Sequence, residues 1–158
     1  MGFKYDHSKT KYHNLILLLK LREGVRLSVY KDSLGKLTAG VGHLLPADTK
    51  LKLGDAVSQS QVDTWLAVDT EACTRKAALQ CELLGANPDK HPELYIALAS
   101  ANFQLGDFKH VFKDTFEVMR TLDYTVVSKR LLASKWYKQT PVRVQDLLEA
   151  YSAFCSAK

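Results

Sequence analysis

Leu21-Arg22-Glu23-Gly24-Val25-Arg26-Leu27-Ser28-Val29-Tyr30-Lys31-Asp32-Ser33-Leu34-Gly35-Lys36-Leu37-Thr38-Ala39-Gly40-Val41-Gly42-His43 is the stretch in which the chain changes period. Up to it, Leu15, Leu18, Leu19 and Leu21 recur at helical spacings and Gly24 supplies a stop, which predicts a first helix over roughly residues 9 to 23. From Arg26 to Tyr30 the residues alternate, Asp32-Ser33-Leu34-Gly35 is a turn sequence, and residues 36 to 42 return as a second strand. A short third strand is expected around His43 to Leu45, broken by Pro46-Ala47-Asp48.

Further along, Ser58 with Gln61 three residues on forms a capping box. Val62, Trp65, Leu66, Asp69, Cys73, Ala77 and Leu84 then keep one helical register up to Gly85. A helix of about 26 residues is long enough to join two lobes. Asn87-Pro88-Asp89-Lys90-His91-Pro92 reads as loop, and four helical stripes follow near residues 93 to 104, 109 to 121, 123 to 134 and 141 to 155. No internal repeat or low-complexity segment interrupts them. The fold class expected is α+β, with a small antiparallel sheet segregated from a larger helical bundle. As one domain over residues 1–158, it divides into an N-terminal segment of about 1–12, a β-rich lobe of about 24–57, a connecting helix of about 58–84, and a helical lobe of about 92–158 that includes the first helix.

Composition narrows the function classes. With 158 residues, 46% hydrophobic and 25% charged, the chain has material for one core. Lys and Arg number 22 against 17 Asp and Glu, a formal charge of +5, which favours a polyanionic partner: nucleic acid, anionic lipid or a bacterial wall polymer. Apolar runs such as Leu15-Ile16-Leu17-Leu18-Leu19 are short, whereas a membrane span needs about 20 residues. Charged residues through the first thirteen positions argue against a secretory leader, so the chain is expected to stay in the cytoplasm until released. Cys73, Cys81 and Cys155 are odd in number and lack ligand spacing, so buried thiols are expected rather than a disulfide or a metal site. No nucleic-acid motif is present.

Two carboxylates stand nine positions apart across the helix-to-sheet junction, Glu23 and Asp32. Glu23 closes the first helix, where the dipole is negative, and follows an apolar run that partly desolvates it; both effects favour the protonated acid. Asp32 opens an exposed turn among backbone donors and is expected to stay ionised. A proton donor beside a carboxylate is the pairing that glycosidic cleavage needs. Thr38, on the returning strand, offers a hydroxyl to hold a water. Each residue alone has an ordinary explanation: a solvated helix end, a common turn opener, a strand-favouring side chain.

Together, Leu21 to Asp32 with Gly35, Thr38 and Gly40-Val41-Gly42-His43-Leu44-Leu45 resemble the catalytic region of the phage-type lysozymes of glycoside hydrolase family 24, the T-even members most of all. Asn102-Phe103-Gln104-Leu105-Gly106 is similar to a middle block of that family, and Ser134-Lys135-Trp136-Tyr137-Lys138-Gln139-Thr140-Pro141-Val142-Arg143 to its C-terminal block. The resemblance implies a cleft between the sheet lobe and the helical lobe. It implies Glu23 as general acid, Asp32 as second carboxylate and Thr38 as positioner of the attacking water. His43 matches a histidine paired with an aspartate, here Asp69, in a structural role. Arg143 matches an arginine approaching the acid, with Trp136, Tyr137 and Gln104 packed around it. Leu44, Phe103, Gln104 and Thr115 match substrate contacts. The stretch between His43 and Asp69 is shorter than in the T-even members, Arg130 stands in place of an amide, Asp146 in place of a base, and residues 1 to about 11 have no counterpart: a tail, or a longer first helix.

The implied function is a muramidase of peptidoglycan that works by inversion without metal or cofactor. The implied role is that of a phage endolysin: a monomer held in the host cytoplasm, depending on a holin-like membrane-permeabilising protein, and acting on the wall in the periplasm of a Gram-negative host without inserting stably into the membrane. A virion-borne lysozyme for DNA entry and a catalytically dead wall-binding module are the alternatives.

Overall fold

A computed structural model describes residues 2–158. Two compact units emerge: Ile16–Glu71 is one, and the N-terminal residues to Leu15 join Ala72–Lys158 in the other. The chain passes between them within helix α1 (Lys11–Glu23) and within helix α2 (Gln59–Leu84).

Helix α1 starts where Thr10 Oγ1 accepts the His13 N–H at 3.0 Å, an N-cap bond that satisfies one of the orphan donors of a first turn. It buries Leu15, Leu18 and Leu19, and it ends where the Gly24 N–H reaches the Lys20 carbonyl at 2.9 Å. The residues before it do not lengthen it. The fully buried Asn14 side chain donates to the carbonyls of Asp6 (3.0 Å) and Thr10 (2.9 Å) and accepts from the Asp6 N–H (2.7 Å). That amide folds the preceding segment back over the first turn.

In the unit Ile16–Glu71, strands β1 (Arg26–Lys31), β2 (Leu37–Gly40) and β3 (His43–Leu44) form an antiparallel sheet in that order. Tyr30 lies opposite Thr38, and Thr38 opposite Leu44. The outer edge of β1 is not left open. Val29 donates to Asp55 O (2.8 Å) and accepts from the Gly54 N–H (2.9 Å), and the Val57 N–H reaches Leu27 O (2.9 Å). This strap satisfies backbone groups that an edge strand would otherwise offer to another chain. Residues 54–57 show no alternation in sequence, so only the structure reveals the pairing.

Helix α2 is capped by Ser58, whose Oγ accepts the Gln61 N–H at 3.0 Å. Its first half turns Val62, Trp65 and Asp69 toward the sheet, and the reason is Gly40. A Cβ on Gly40 would stand 3.2 and 3.3 Å from the Val62 methyls and 3.5 Å from the Trp65 ring. Only a residue without a side chain lets strand and helix approach so closely, and the φ of +65° there also favours glycine.

The other unit is helical: α3 (Pro92–Leu105), α4 (Phe108–Val111), α5 (Lys113–Met119), α6 (Tyr124–Leu132), α7 (Lys135–Gln139) and α8 (Pro141–Ser156). Helix α3 buries every residue from Ile96 to Asn102, as a helix apolar on all sides must. Phe108, Phe116, Met119, Leu131, Leu147 and Tyr151 are each fully buried in this unit, and α8 and α4 pack against α3. An amide pair ties α2 to α3. Gln80 Nε2 donates to Asn102 Oδ1 (3.1 Å) while Asn102 Nδ2 donates to Gln80 Oε1 (3.0 Å) and to the Cys73 carbonyl (3.3 Å). Asn102 Oδ1 also accepts the Phe108 N–H at 2.8 Å, so one side chain fixes two helices and the entry to α4.

One sequence expectation needs correction. The single helix over residues 109 to 121 is two helices, because Phe112 leaves helical geometry (φ −115°, ψ 52°). Its ring lies 5.3 Å from Phe108 and 5.6 Å from Trp136, and this aromatic packing competes with helix continuity. The five-residue α7, capped by Ser134 Oγ on the Tyr137 N–H, is too short to show a period. No disulfide joins the three cysteines among the described residues; Cys73 and Cys81 are buried and Cys155 is half-buried. Among the described residues no helix is long and apolar enough to cross a membrane.

Candidate active site

Glu23, Asp32, Thr38, His43, Leu44 and Asp69 all belong to the unit Ile16–Glu71. Glu23 is the last residue of α1 and is exposed, as are Leu21 and Val25 beside it, so the apolar run does not bury it as expected. Its carboxylate comes close to the β2–β3 turn: a Cβ on Gly42 would stand 3.8 Å from Glu23 Oε2.

Asp32 organises its own turn. Its Oδ1 accepts the N–H groups of Leu34 (2.8 Å) and Lys36 (2.9 Å), while its backbone N–H reaches Lys36 O (2.9 Å) and its carbonyl accepts from Gly35 (2.9 Å). One carboxylate oxygen is thus held by two backbone donors, and Oδ2 has no hydrogen bond among the described residues. Such a carboxylate is fixed in orientation and keeps one oxygen available. Thr38 is buried in β2 and its Oγ1 donates to the Lys36 carbonyl at 3.0 Å. With the hydroxyl proton committed there, the lone pairs of Oγ1 are what remains to meet a water.

His43 Nδ1 stands 2.7 Å from Asp69 Oδ2, and its ring stacks on Trp65 with centroids 4.6 Å apart and planes 10° from parallel. Asp69 and Trp65 are four apart on α2 and share a face, so the helix holds the imidazole by edge and by plane. Leu44 is half exposed and lines a cavity of about 370 Å³ with Lys36, Leu37, Leu45, Pro46, Ala47 and Thr49.

The remaining sequence candidates lie in the helical unit. Arg143 is buried, and its Nη2 donates to the Ser100 carbonyl (2.8 Å) and hydroxyl (3.0 Å). Trp136 Nε1 donates to Gln104 Oε1 (2.8 Å), and Gln104 Nε2 donates to Thr140 Oγ1 (3.2 Å). Both ends of the Gln104 amide are therefore engaged inside the protein. Thr115 is buried in α5, and Phe103 and Tyr137 are half-buried.

Sequence reasoning gave no role to Gly42, Trp65, Ser100 or Thr140. The Gly-x-Gly spacing was the available signal for Gly42, and the four-residue step back from Asp69 was the signal for Trp65. Ser100 directly follows the apolar run at residues 94–99, and nothing in the sequence marks it as a partner for Arg143.

A small sheet whose hairpin turn is built around a carboxylate, a second carboxylate at the preceding helix end, and a separate helical bundle define a lysozyme-like α+β protein. The chain belongs to the phage lysozyme family, whose model matches residues 20–150 and so includes every residue from Glu23 to Arg143 discussed above. It is 27% identical over 128 residues to a protein named peptidoglycan hydrolase gp36 of Pseudomonas phage phiKMV, covering 80% of this chain and 14% of that one. It is also 27% identical over 124 residues to an endolysin of Acyrthosiphon pisum secondary endosymbiont phage 1, covering 78% of this chain and 77% of that one. The chain thus spans a small part of the first relative and about three quarters of the second.

Proposed function

We propose that this protein is a peptidoglycan hydrolase, specifically a muramidase that cleaves the β-1,4 bond between N-acetylmuramic acid and N-acetylglucosamine. The observation that carries this reading is the Asp32 turn: a carboxylate with Oδ1 held by two backbone N–H groups, Oδ2 available, and the nearby strand's Thr38 hydroxyl donating to the Lys36 carbonyl. In the reaction, Glu23 protonates the glycosidic oxygen and the leaving sugar departs. Asp32 Oδ2 accepts a proton from a water whose other hydrogen Thr38 Oγ1 accepts, and the water oxygen bonds to the anomeric carbon from the opposite face. Attack by water on that face inverts the anomeric centre. Leu44 and the cavity beside it offer apolar contact to a sugar ring, whereas Gln104 has both amide ends engaged within the helical unit and Thr115 is buried there. His43 with Asp69, and Trp136 with Arg143, keep supporting elements in place. No step calls for a metal or a cofactor.

The names of the two relatives, a phage peptidoglycan hydrolase and a phage endolysin, support the substrate and a role in host lysis. In that role the monomeric enzyme stays in the host cytoplasm until a holin-like protein opens the membrane, then acts on the wall from the periplasm. The match to a small part of a much longer phage protein favours a second reading, a lysozyme carried in the phage particle. Detection of the chain in purified virions decides for the second.

The test is clearing of chloroform-permeabilised Gram-negative cells by wild type, Glu23→Gln and Asp32→Asn. Loss of a positioned proton donor is expected to slow clearing at least about a hundredfold. Clearing by Glu23→Gln at the wild-type rate removes Glu23 as the acid, and equal binding of wall without hydrolysis by wild type makes the chain a binding module instead.

A further inference from the structure

The net charge is not spread over the molecule. In Ile16–Glu71 acidic and basic side chains balance at seven each, so the whole formal +5 resides in the helical unit. Within that unit, residues 124–145 contain no Asp or Glu at all, whereas Lys129, Arg130, Lys135 and Lys138 fall inside ten residues at the end of α6 and along α7. All four are exposed, and none has a carboxylate partner among the described residues. Arg143, the other cation of this stretch, is buried on Ser100 and is not part of the patch. An exposed Leu132 sits between the two pairs of cations, next to exposed Ala133.

We propose that the α6–α7 corner docks on an anionic lipid bilayer surface. Four unpaired cations on or beside an amphipathic helix are enough for attraction to acidic headgroups, and α6 is amphipathic, with Val127 and Leu131 buried and Lys129 and Arg130 exposed. Leu132 adds what a soluble polyanion would not use: an exposed apolar side chain between the two pairs of cations along the chain, of the kind that enters a headgroup region. A polymer bearing carboxylates is matched by the charge but leaves Leu132 in water. The surface lies outside the unit that carries Glu23 and Asp32, so docking and hydrolysis rest on separate residues. Neither helix is long enough to insert, and the attachment is peripheral and reversible.

The experiment is co-sedimentation of the full chain with phosphatidylcholine vesicles, with and without phosphatidylglycerol, at low and high salt. Each cation near an acidic surface strengthens binding about fivefold, so the variant with Lys129→Gln, Arg130→Gln, Lys135→Gln and Lys138→Gln is expected to bind anionic vesicles at least about tenfold more weakly. Salt is expected to weaken wild type likewise. Leu132→Ala is expected to weaken vesicle binding while leaving binding to purified peptidoglycan sacculi unchanged. Wild-type binding by the fourfold variant, or equal binding to neutral vesicles, overturns the proposal. A charge-dependent loss on sacculi with none on vesicles assigns the patch to the wall polymer instead. Cell clearing by the same variant is read separately, so failure of the hydrolase reading and failure of this one are distinct results.

Discussion

The backbone of Gly42 lies against the carboxylate of Glu23: a Cβ built on this glycine would stand 3.8 Å from Oε2. The residue is at φ +63°, where a side chain is strained. Gly42→Ala is therefore expected to cost about 1 kcal/mol in stability, a fall in Tm of about 2–4 °C for a chain of this size. If Glu23 is the proton donor, the added methyl restricts it in the one place where position matters, and activity falls further than stability does. Calorimetry and clearing assays on the same preparation separate the two; a variant that loses stability alone refutes the functional part.

Gly40 is a contrasting case three elements of the same unit depend on. An alanine methyl there meets Val62 at 3.2 Å and must also adopt φ +65°. Gly40→Ala is expected to destabilise by about 2–3 kcal/mol through overpacking and strain together. Val62→Ala makes room for the methyl, so the double variant Gly40→Ala with Val62→Ala should lose less than the sum of the single changes. Strictly additive losses in urea unfolding argue against this contact.

Much of this unit was legible because its devices are local. Glycine stops, the Asp32 turn, the Ser58 cap and the alternation of β1 each act over a few residues, and each marks the sequence where it acts. The strap at residues 54–57 was not legible, since its bonds to Leu27 and Val29 are purely backbone and leave composition untouched. Phe112 was misread for a related reason. Its helical spacing from Phe108 and Phe116 is genuine, but contact with Trp136, distant in sequence, decides its geometry. For the site, spacing and resemblance brought forward Glu23, Asp32 and Thr38. The turn around Asp32 was legible too, but not that both backbone donors fall on Oδ1 and leave Oδ2 available.

The His43–Asp69 bond offers a measurable coupling. At 2.7 Å and with both side chains mostly shielded, it is expected to couple by about 1–2 kcal/mol in a double-mutant cycle of His43→Ala and Asp69→Ala. Trp65→Leu removes the stacked ring and should reduce that coupling while leaving the bond's partners in place. A cycle that closes at zero would show that Trp65 alone holds the imidazole.

Among the buried polar side chains of the helical unit, a large cost is expected at Asn102. Its truncation to alanine strips partners from both ends of the Gln80 amide, from the Cys73 carbonyl and from the Phe108 N–H, all in a buried setting. Unsatisfied buried groups of this kind cost about 1–3 kcal/mol each before relaxation, so Asn102→Ala should lose about 3 kcal/mol or more in chemical denaturation. Asn102→Asp keeps the oxygen that Phe108 needs but loses the donor to Gln80 and Cys73, and it is expected to fall between alanine and wild type at low pH, where the acid is protonated. A loss below about 1 kcal/mol for the alanine variant would mean that water or a neighbour replaces these bonds.

Cys81 gives the folded state an alkaline limit. Burial pushes its thiol from 9.0 up to about 12, because a thiolate in the α2 core would lack solvent. A folded pKa above the unfolded one means that stability from this group is fully present below about pH 9 and is lost as pH rises toward about 12, where the unfolded chain ionises first. Tyr151, whose phenol burial also drives upward, adds to the same alkaline loss. Cys81→Ala is expected to lower stability at neutral pH by leaving a small cavity, yet to flatten the decline above pH 9. The same burial governs reactivity: in native protein a thiol reagent should label Cys155, which is half-buried, while Cys73 and Cys81 wait for denaturant. Parallel pH profiles for wild type and Cys81→Ala, or rapid native labelling of Cys81, would contradict a sealed α2 core.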